Sequence, residues 1–274
     1  MEIKTSITKS MNDVIRKSFQ NNQKKIIFEF GSRYGEDTIA LAKEFPDAEI
    51  YTFECNPNTI EDCRKNCSRY KNIHLTEKAI SNECKTVKFY PINKEETITH
   101  WHDGNQGASS LLKSTGKYEL ETYRQDEIEV EAITLEYFME THNIDHIDFL
   151  WMDIQGGELM ALEGLGHFLQ KVNVIYTEVE FVDVYENQPL YNNIRSFLVK
   201  NGFSFAKFKT VGEYDANAFF VNSSNKELLE YIRNKDFAEI SKSLLLLTKI
   251  ITKSIFGEKY YNKLKTIKNK LTHK

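Results

Sequence analysis

The stretch Ile26–Ile39 constrains the fold more than any other part of the chain. Ile26, Ile27, Phe28 and Phe30 surround a single acid, Glu29, and the chain then turns through Gly31-Ser32-Arg33-Tyr34-Gly35. A short apolar run that ends at a glycine turn reads as a buried strand handing over to a helix. Gly31 can take positive φ or let a ligand approach the backbone, and Gly35 lets the helix start pack tightly. The free N–H groups at that helix start favour a polar ligand group. Glu54 follows 23 residues after Gly31 and closes a second apolar stretch, Ile50-Tyr51-Thr52-Phe53. An acid about 20 residues past a glycine turn is where a ribose diol is held. The pair predicts a nucleoside-containing cofactor, and by itself leaves a dinucleotide and a sulfonium equally open.

The rest of the chain repeats the alternation. Strands are expected at Ala48–Glu54, Ile73–Leu75, Val87–Pro91, Ile147–Met152 and Val172–Val179, with helices from Gly35, Pro57, Leu135, Gly156 and Tyr191. Phe203–Phe208 and Ala216–Val221 read as a closing antiparallel pair. Strands alternating with helices predict an α/β fold with a doubly wound, mostly parallel sheet, whose ligands lie outside the carboxyl ends of the strands. Gly31, Glu54, Asp153, Glu178 and Glu180 all fall at expected strand ends. Between Asn93 and Gln125 lies a long polar segment containing His100, Trp101 and His102, and a loop of that length is usually functional or disordered. Residues 1–24 are expected to form a capping helix, 25–222 the main domain and 223–274 a basic helical extension.

Composition matters here mainly through charge. The net charge of −4 is uneven: from Ile240 onward nine lysines face one acid, Glu258, which puts that tail at +8 and the remainder at −12. An acidic body argues against nucleic acid as a partner. The tail interleaves Lys242, Lys249 and Lys253 with Leu244–Leu247, Ile250, Ile251 and Ile255. Docking on the domain or a second subunit and peripheral contact with an anionic membrane are both open to it. Polar Met1–Lys17 offers no secretory core, and no apolar run is long enough to span a bilayer, so a cytoplasmic location is expected, with any membrane contact at the cytoplasmic face. Cys55, Cys63, Cys67 and Cys84 lack a zinc spacing and are expected to be free thiols.

Three stretches together resemble the FkbM-type family of S-adenosylmethionine-dependent methyltransferases: Phe28–Gly35, Tyr51–Pro57, and Phe149-Leu150-Trp151-Met152-Asp153-Ile154-Gln155-Gly156-Gly157-Glu158-Leu159 followed by Leu162-Glu163-Gly164. Glu77–Ser81, Gly107–Ser110 and Val130–Leu135 support the match, which covers roughly Ile26 to Val221. The resemblance implies a class I, Rossmann-like methyltransferase fold, S-adenosylmethionine as cofactor, and O-methylation of a sugar or glycan hydroxyl or another small acceptor. It disfavours the competing readings, an NAD-dependent oxidoreductase and a non-catalytic module of a glycan-assembly complex. Ser32-Arg33-Tyr34 departs from the family's usually more glycine-rich loop.

The resemblance also implies site residues. Glu29, Gly31, Ser32, Gly35, Glu54, Cys55, Ala79, Ser109, Ser110 and Asp153 are expected to bind the cofactor, with Glu29 on its ammonium, Glu54 on its ribose and Ala79 near its adenine. Asp153, Glu158 and His102 are the candidates for acid–base work on the acceptor. One of Glu178 and Glu180 is expected to face the site. No ligand spacing demands a metal.

Overall fold

The structure, a computed structural model, describes residues 7–20 and 23–235. Helix α1 (Lys9–Ser18) precedes strand β1 (Lys25–Phe30), α2 (Glu36–Glu44), β2 (Ala48–Phe53), α3 (Ile60–Cys67) and β3 (Ile73–Thr76). Short β4 (Ala79–Ile80) and β5 (Lys85–Phe89) lead into the long segment, which ends at β6 (Ile128–Ile133). Then come α4 (Leu135–Thr141), β7 (Ile147–Met152), α5 (Glu158–Glu163), β8 (Val172–Glu180), α6 (Tyr191–Lys200), β9 (Phe203–Val211), β10 (Asp215–Asn222) and α7 (Lys226–Asn234).

Seven strands form one sheet in the order β3-β2-β1-β7-β8-β10-β9, and β4-β6-β5 form a small second sheet. The pairs from β3 through β8 are parallel, while β10 runs antiparallel to both β8 and β9. The expected doubly wound sheet with an antiparallel closing pair is therefore present. β6 leads straight into α4, whose N-cap Thr134 accepts from Tyr137 N through its side chain. Ile128 and Val130 alternate with outward-facing Glu129 and Glu131 along β6, the central strand of the small sheet.

All six residues of β7 are buried, as a central parallel strand requires when helices cover both faces. Successive side chains of a strand point to opposite faces, so β1 feeds two cores. Phe28 and Phe30 join Phe53, Phe138, Leu150 and Met152 on one side. Ile27 joins Met11, Val14, Ile15, Phe149 and Phe219 on the other. Leu228, Leu229 and Ile232 of α7 pack into that second core, and Lys235 Nζ donates to Asp13 at 2.7 Å, tying α7 to α1. The remainder of the basic tail, with its expected helices and membrane contact, lies outside the described residues. Among the described residues no helix is long and apolar enough to cross a membrane. Cys55, Cys63, Cys67 and Cys84 are free, as expected.

The segment 93–125 is an ordered lobe. Ile92, Ala108, Tyr123, Val184 and Tyr185 form an apolar cluster of their own, and single bridges pair Tyr90 with Ser110, Ile98 with Thr122 and Ser114 with Tyr185. The lobe sits over the carboxyl ends of the central strands.

Candidate active site

Strand register builds the site. In the β1–β2 and β1–β7 pairings the last row is Phe30, Phe53 and Met152. Gly31, Glu54 and Asp153 each follow that row, so three separate stretches deliver one residue apiece to the same sheet edge. The Gly31 N–H donates to Phe53 O at 3.0 Å and the Asp153 N–H to Phe30 O at 3.2 Å, extending the ladder one step. Here the chain crosses from β1 to β2 on one side and meets β7 on the other, the position where open α/β sheets leave a crevice.

A cavity of about 590 Å³, open mouth included, occupies that crevice. Gly31 and Arg33, then Glu54-Cys55-Asn56, then Lys78-Ala79-Ile80 and Asp153-Ile154 line successive parts of it, with Gln106, Ser109 and Ser110 from the lobe above. Phe30, Phe53 and Phe89 supply apolar wall. Gly31 has φ +83°, and a Cβ there would lie 2.0 Å from the Asp153 carbonyl oxygen, so only glycine fits.

The Glu54 carboxyl is held rigidly. Oε2 accepts from Arg33 N at 2.6 Å, and Oε1 accepts from Cys55 N at 2.9 Å and Asn56 N at 2.7 Å. Burial pushes its pKa up to about 7 against the pull of these donors. The Thr59 hydroxyl also bonds this carboxyl, which borders the cavity. Arg33 forms an ion pair with Asp103 of the lobe, and Tyr34 Oη donates to the same carboxylate at 3.1 Å. The Arg33 Nε is buried with no hydrogen-bond partner, leaving a donor beside the cavity.

Several expected residues do not meet the cavity. Glu29 sits on the opposite side of β1, where its carboxyl accepts from the Thr38 hydroxyl and, at 3.2 Å, from Thr52 Oγ1. Burial pushes its pKa up to about 8. Strand alternation aims this satisfied buried acid at α2, on the face of β1 away from the cavity. Ser32 turns inward to Phe53 O and Cys63 Sγ. Gly35, at φ +83°, caps α2, and a Cβ would come within 2.8 Å of Cys67 Sγ; its glycine serves helix packing. His102 is exposed in a turn closed by Gly104 N to Trp101 O at 3.1 Å and does not line the cavity. Glu77, close to Ala79 in sequence, is outside, gripped by Arg64 at 2.6 and 2.7 Å. Glu158 is buried and accepts from Ile154 N at 3.0 Å, closing the turn between β7 and α5. Burial pushes its pKa up to about 7.

Ser109 and Ser110 line the cavity with their hydroxyls already engaged. Ser109 Oγ donates to Gln106 O at 2.8 Å, and Ser110 Oγ to Gln155 O at 2.7 Å. Lys78, Phe89 and Gln106 were not singled out in the sequence, since nothing local distinguishes them; only the second sheet and the lobe bring them in.

Asp153 is open to solvent at the cavity, and Gln155 Nε2 donates to its Oδ1 at 2.8 Å. Glu178 and Glu180 both turn toward it, and the expectation that only one would is corrected: residues two apart share a face of a strand. Burial first, and then the charges of Asp153 and Glu158, push both carboxyls well above the usual range. Among the described residues no cluster of three His, Cys, Asp or Glu side chains has metal-binding geometry.

The sheet order, with β10 inserted antiparallel beside β8, and the crevice between Gly31, Glu54 and Asp153 define a class I methyltransferase fold. The chain belongs to the FkbM methyltransferase family, whose domain matches residues 29–205. It is 29% identical over 164 residues to the 2-O-methyltransferase NoeI of Sinorhizobium fredii, which is 60% of this chain and 66% of that protein, just under two thirds. Among solved structures it is similar to M. capricolum TrmK in complex with S-adenosyl-homocysteine, at 16% identity and a TM-score of 0.42 over 97% of this chain and 96% of that one. It is also similar to precorrin-6y C5,15-methyltransferase from Geobacter metallireducens, at 15% identity and a TM-score of 0.41 over 80% and 95%.

Proposed function

We propose that the protein is an S-adenosylmethionine-dependent O-methyltransferase that acts on a hydroxyl of a sugar or glycan. One observation carries the reading: Asp153, an open carboxylate, shares a cavity wall with Gly31 and with the rigidly held Glu54 carboxyl. The donor set fits the cofactor. Glu54 would hold the ribose hydroxyls, Ala79, Ile80 and Phe89 would bound the adenine, and the Gly31 turn would leave room for the amino-acid end. When bound, the cofactor supplies an electrophilic methyl on sulfur. The chain's part is to orient, exclude water and move one proton. An alcohol is a poor nucleophile at neutral pH, and Asp153 would take its proton.

The acceptor class rests on the family, on the named 2-O-methyltransferase relative, and on the aromatic side chains of the lobe. Trp101 is 47% exposed, and Tyr118 lies against Tyr123 at 5.7 Å and Tyr214 at 5.4 Å. Flat rings of this kind suit the C–H faces of sugars.

The test has two arms. Calorimetry is expected to show binding of S-adenosylhomocysteine and none of NAD, and Glu54→Ala is expected to weaken the former at least a hundredfold. Labelled methyl from the cofactor is expected to appear on members of a panel of nucleotide sugars and oligosaccharides. NAD binding alone, or unchanged affinity in Glu54→Ala, overturns the cofactor assignment. Transfer confined to non-carbohydrate hydroxyls overturns the acceptor class.

A further inference from the structure

Gln155 adopts φ +54°, a left-handed conformation that few residues other than glycine take. Its side chain is fully used. Nε2 donates to Asp153 Oδ1 at 2.8 Å and to Glu178 Oε2 at 2.6 Å. Oε1 lies 3.0 Å from the Tyr185 hydroxyl, which also reaches Ala108 O at 2.8 Å. The Gln155 carbonyl accepts from Ser110 Oγ at 2.7 Å. Only this amide orientation satisfies the site, since the reverse would set an oxygen against two carboxyls. Tyr185 is completely buried in the lobe's apolar cluster, so the anchor behind the amide is rigid.

We propose that Gln155 is a positioning residue of the methyl-transfer site: it clamps Asp153 to Glu178, so that a single carboxyl pair, anchored to the lobe through Tyr185, faces the acceptor. This rests on the reading that Asp153 takes the acceptor's proton. In that step the acceptor oxygen bonds to the methyl carbon, the carbon–sulfur bond breaks with its electron pair staying on sulfur, and the hydroxyl proton passes to Asp153 and then to solvent. Gln155 gains and loses nothing. Its two N–H bonds favour the ionised form of the carboxyl they point at. Two carboxyls bridged by one amide titrate as a pair. Burial raises both carboxyls, Glu178 well above the usual carboxylate range, and the Gln155 and Glu178 bonds pull Asp153 back down, so Asp153, the member exposed at the cavity, ionises first. The groups that face the pair are Glu158 from α5, Glu180 on β8, Asp215 at the start of β10, Asp37 from α2, Arg33 from the glycine turn, and Tyr118 and Tyr185 from the loops.

The experiment compares wild type, Gln155→Met, which keeps length and removes every side-chain hydrogen bond, Gln155→Glu, which keeps shape and replaces the amide, and Tyr185→Phe. In ligand-free protein with labelled carboxyl carbons, and with Asp153→Asn to assign the signal, the Asp153 titration is expected to move up by about half a unit or more in Gln155→Met. Tyr185→Phe is expected to move it less, in the same direction. In turnover, kcat is expected to fall about thirtyfold or more in Gln155→Met while the KM for the cofactor stays within threefold, and the acidic limb of the kcat profile is expected to move to higher pH. An unmoved Asp153 titration in both Gln155→Met and Tyr185→Phe overturns the clamp, and so does lost thermal stability with an unmoved limb. If Gln155→Met fails to fold, Gln155→Glu and Tyr185→Phe decide by the same titration. If wild type methylates no hydroxyl on the panel, the functional reading fails, and the carboxyl titration still judges the clamp.

Discussion

Gly31 is the residue at which sequence and site agree most directly. Its φ of +83° costs a residue with a Cβ about 1 kcal/mol in backbone strain, and the Asp153 carbonyl 2.0 Å from that Cβ adds a clash that backbone must relieve. The carbonyl belongs to the residue after β7, so relief shifts the carboxylate as well as the loop. Gly31→Ala is expected to lower the melting temperature by at least several degrees and to weaken S-adenosylhomocysteine binding more than tenfold, both readable in one thermal-shift titration. Full affinity in a folded Gly31→Ala protein would show that the cavity does not depend on this close approach. Glu54 presents the complementary case. Three of its partners are backbone N–H groups, so its position is set mainly by the chain's path.

At the scale of elements, the lobe 93–125 joins the glycine turn through one half-buried ion pair, Arg33 with Asp103. Burial raises the Asp103 carboxyl, and the Arg33 guanidinium overrides it and holds it below the usual range. Half-buried pairs are worth about 1 kcal/mol, so Asp103→Asn is expected to weaken cofactor binding about three- to tenfold, with less effect at high salt. Equal loss at all salt concentrations would point to Tyr34 and Asn105, which share that carboxylate, rather than to the charge pair. The lobe also marks where the sequence stopped being readable. Gly31, Glu54 and Asp153 could be found because each ends an apolar strand, and strand ends converge in a parallel sheet. Glu29, Glu158 and Gly35 have the same residue types nearby but serve the strand's other face, a turn and a helix contact; the choice depends on strand facing and capping bonds. His102 looked like a base only because its loop had no period to place it. Tyr185, Ala108 and Gln155 meet across wide separations in sequence, and nothing local announces the meeting.

For the whole molecule, buried acids and one histidine set the response to pH. Glu29 rises to about 8, and Glu54 and Glu158 to about 7, each chiefly through burial. A raised acid holds its proton more tightly in the folded state, so its contribution is complete below the ordinary value near 4.5 and is lost as pH climbs through the folded value. His146 acts in the same direction. Its ring nitrogens face Asp145 Oδ1 at 2.6 Å and Lys24 O at 2.9 Å, and Nε2 lies 3.5 Å from Asp148. The Asp148 bond, ahead of the opposing burial, raises it to about 9, so its stabilisation is full below 6.5 and disappears through 9. Partly exposed carboxylates such as Glu49, lowered by the His74 bond, oppose this only as pH falls below their ordinary values, and solvent screens them. The ligand-free protein is therefore expected to be most stable near pH 5 and to lose on the order of 10 °C in melting temperature by pH 8.5, from a few kcal/mol spread over a domain of this size. Glu29→Gln keeps acceptor oxygen for Thr38 and Thr52 and removes the buried charge. It is expected to raise the melting temperature at pH 8.5 and leave it nearly unchanged at pH 5. A melting temperature that is flat or rising across this range at constant ionic strength would mean that these carboxyls are solvated in the free protein, with the crevice opening more widely than its contacts imply.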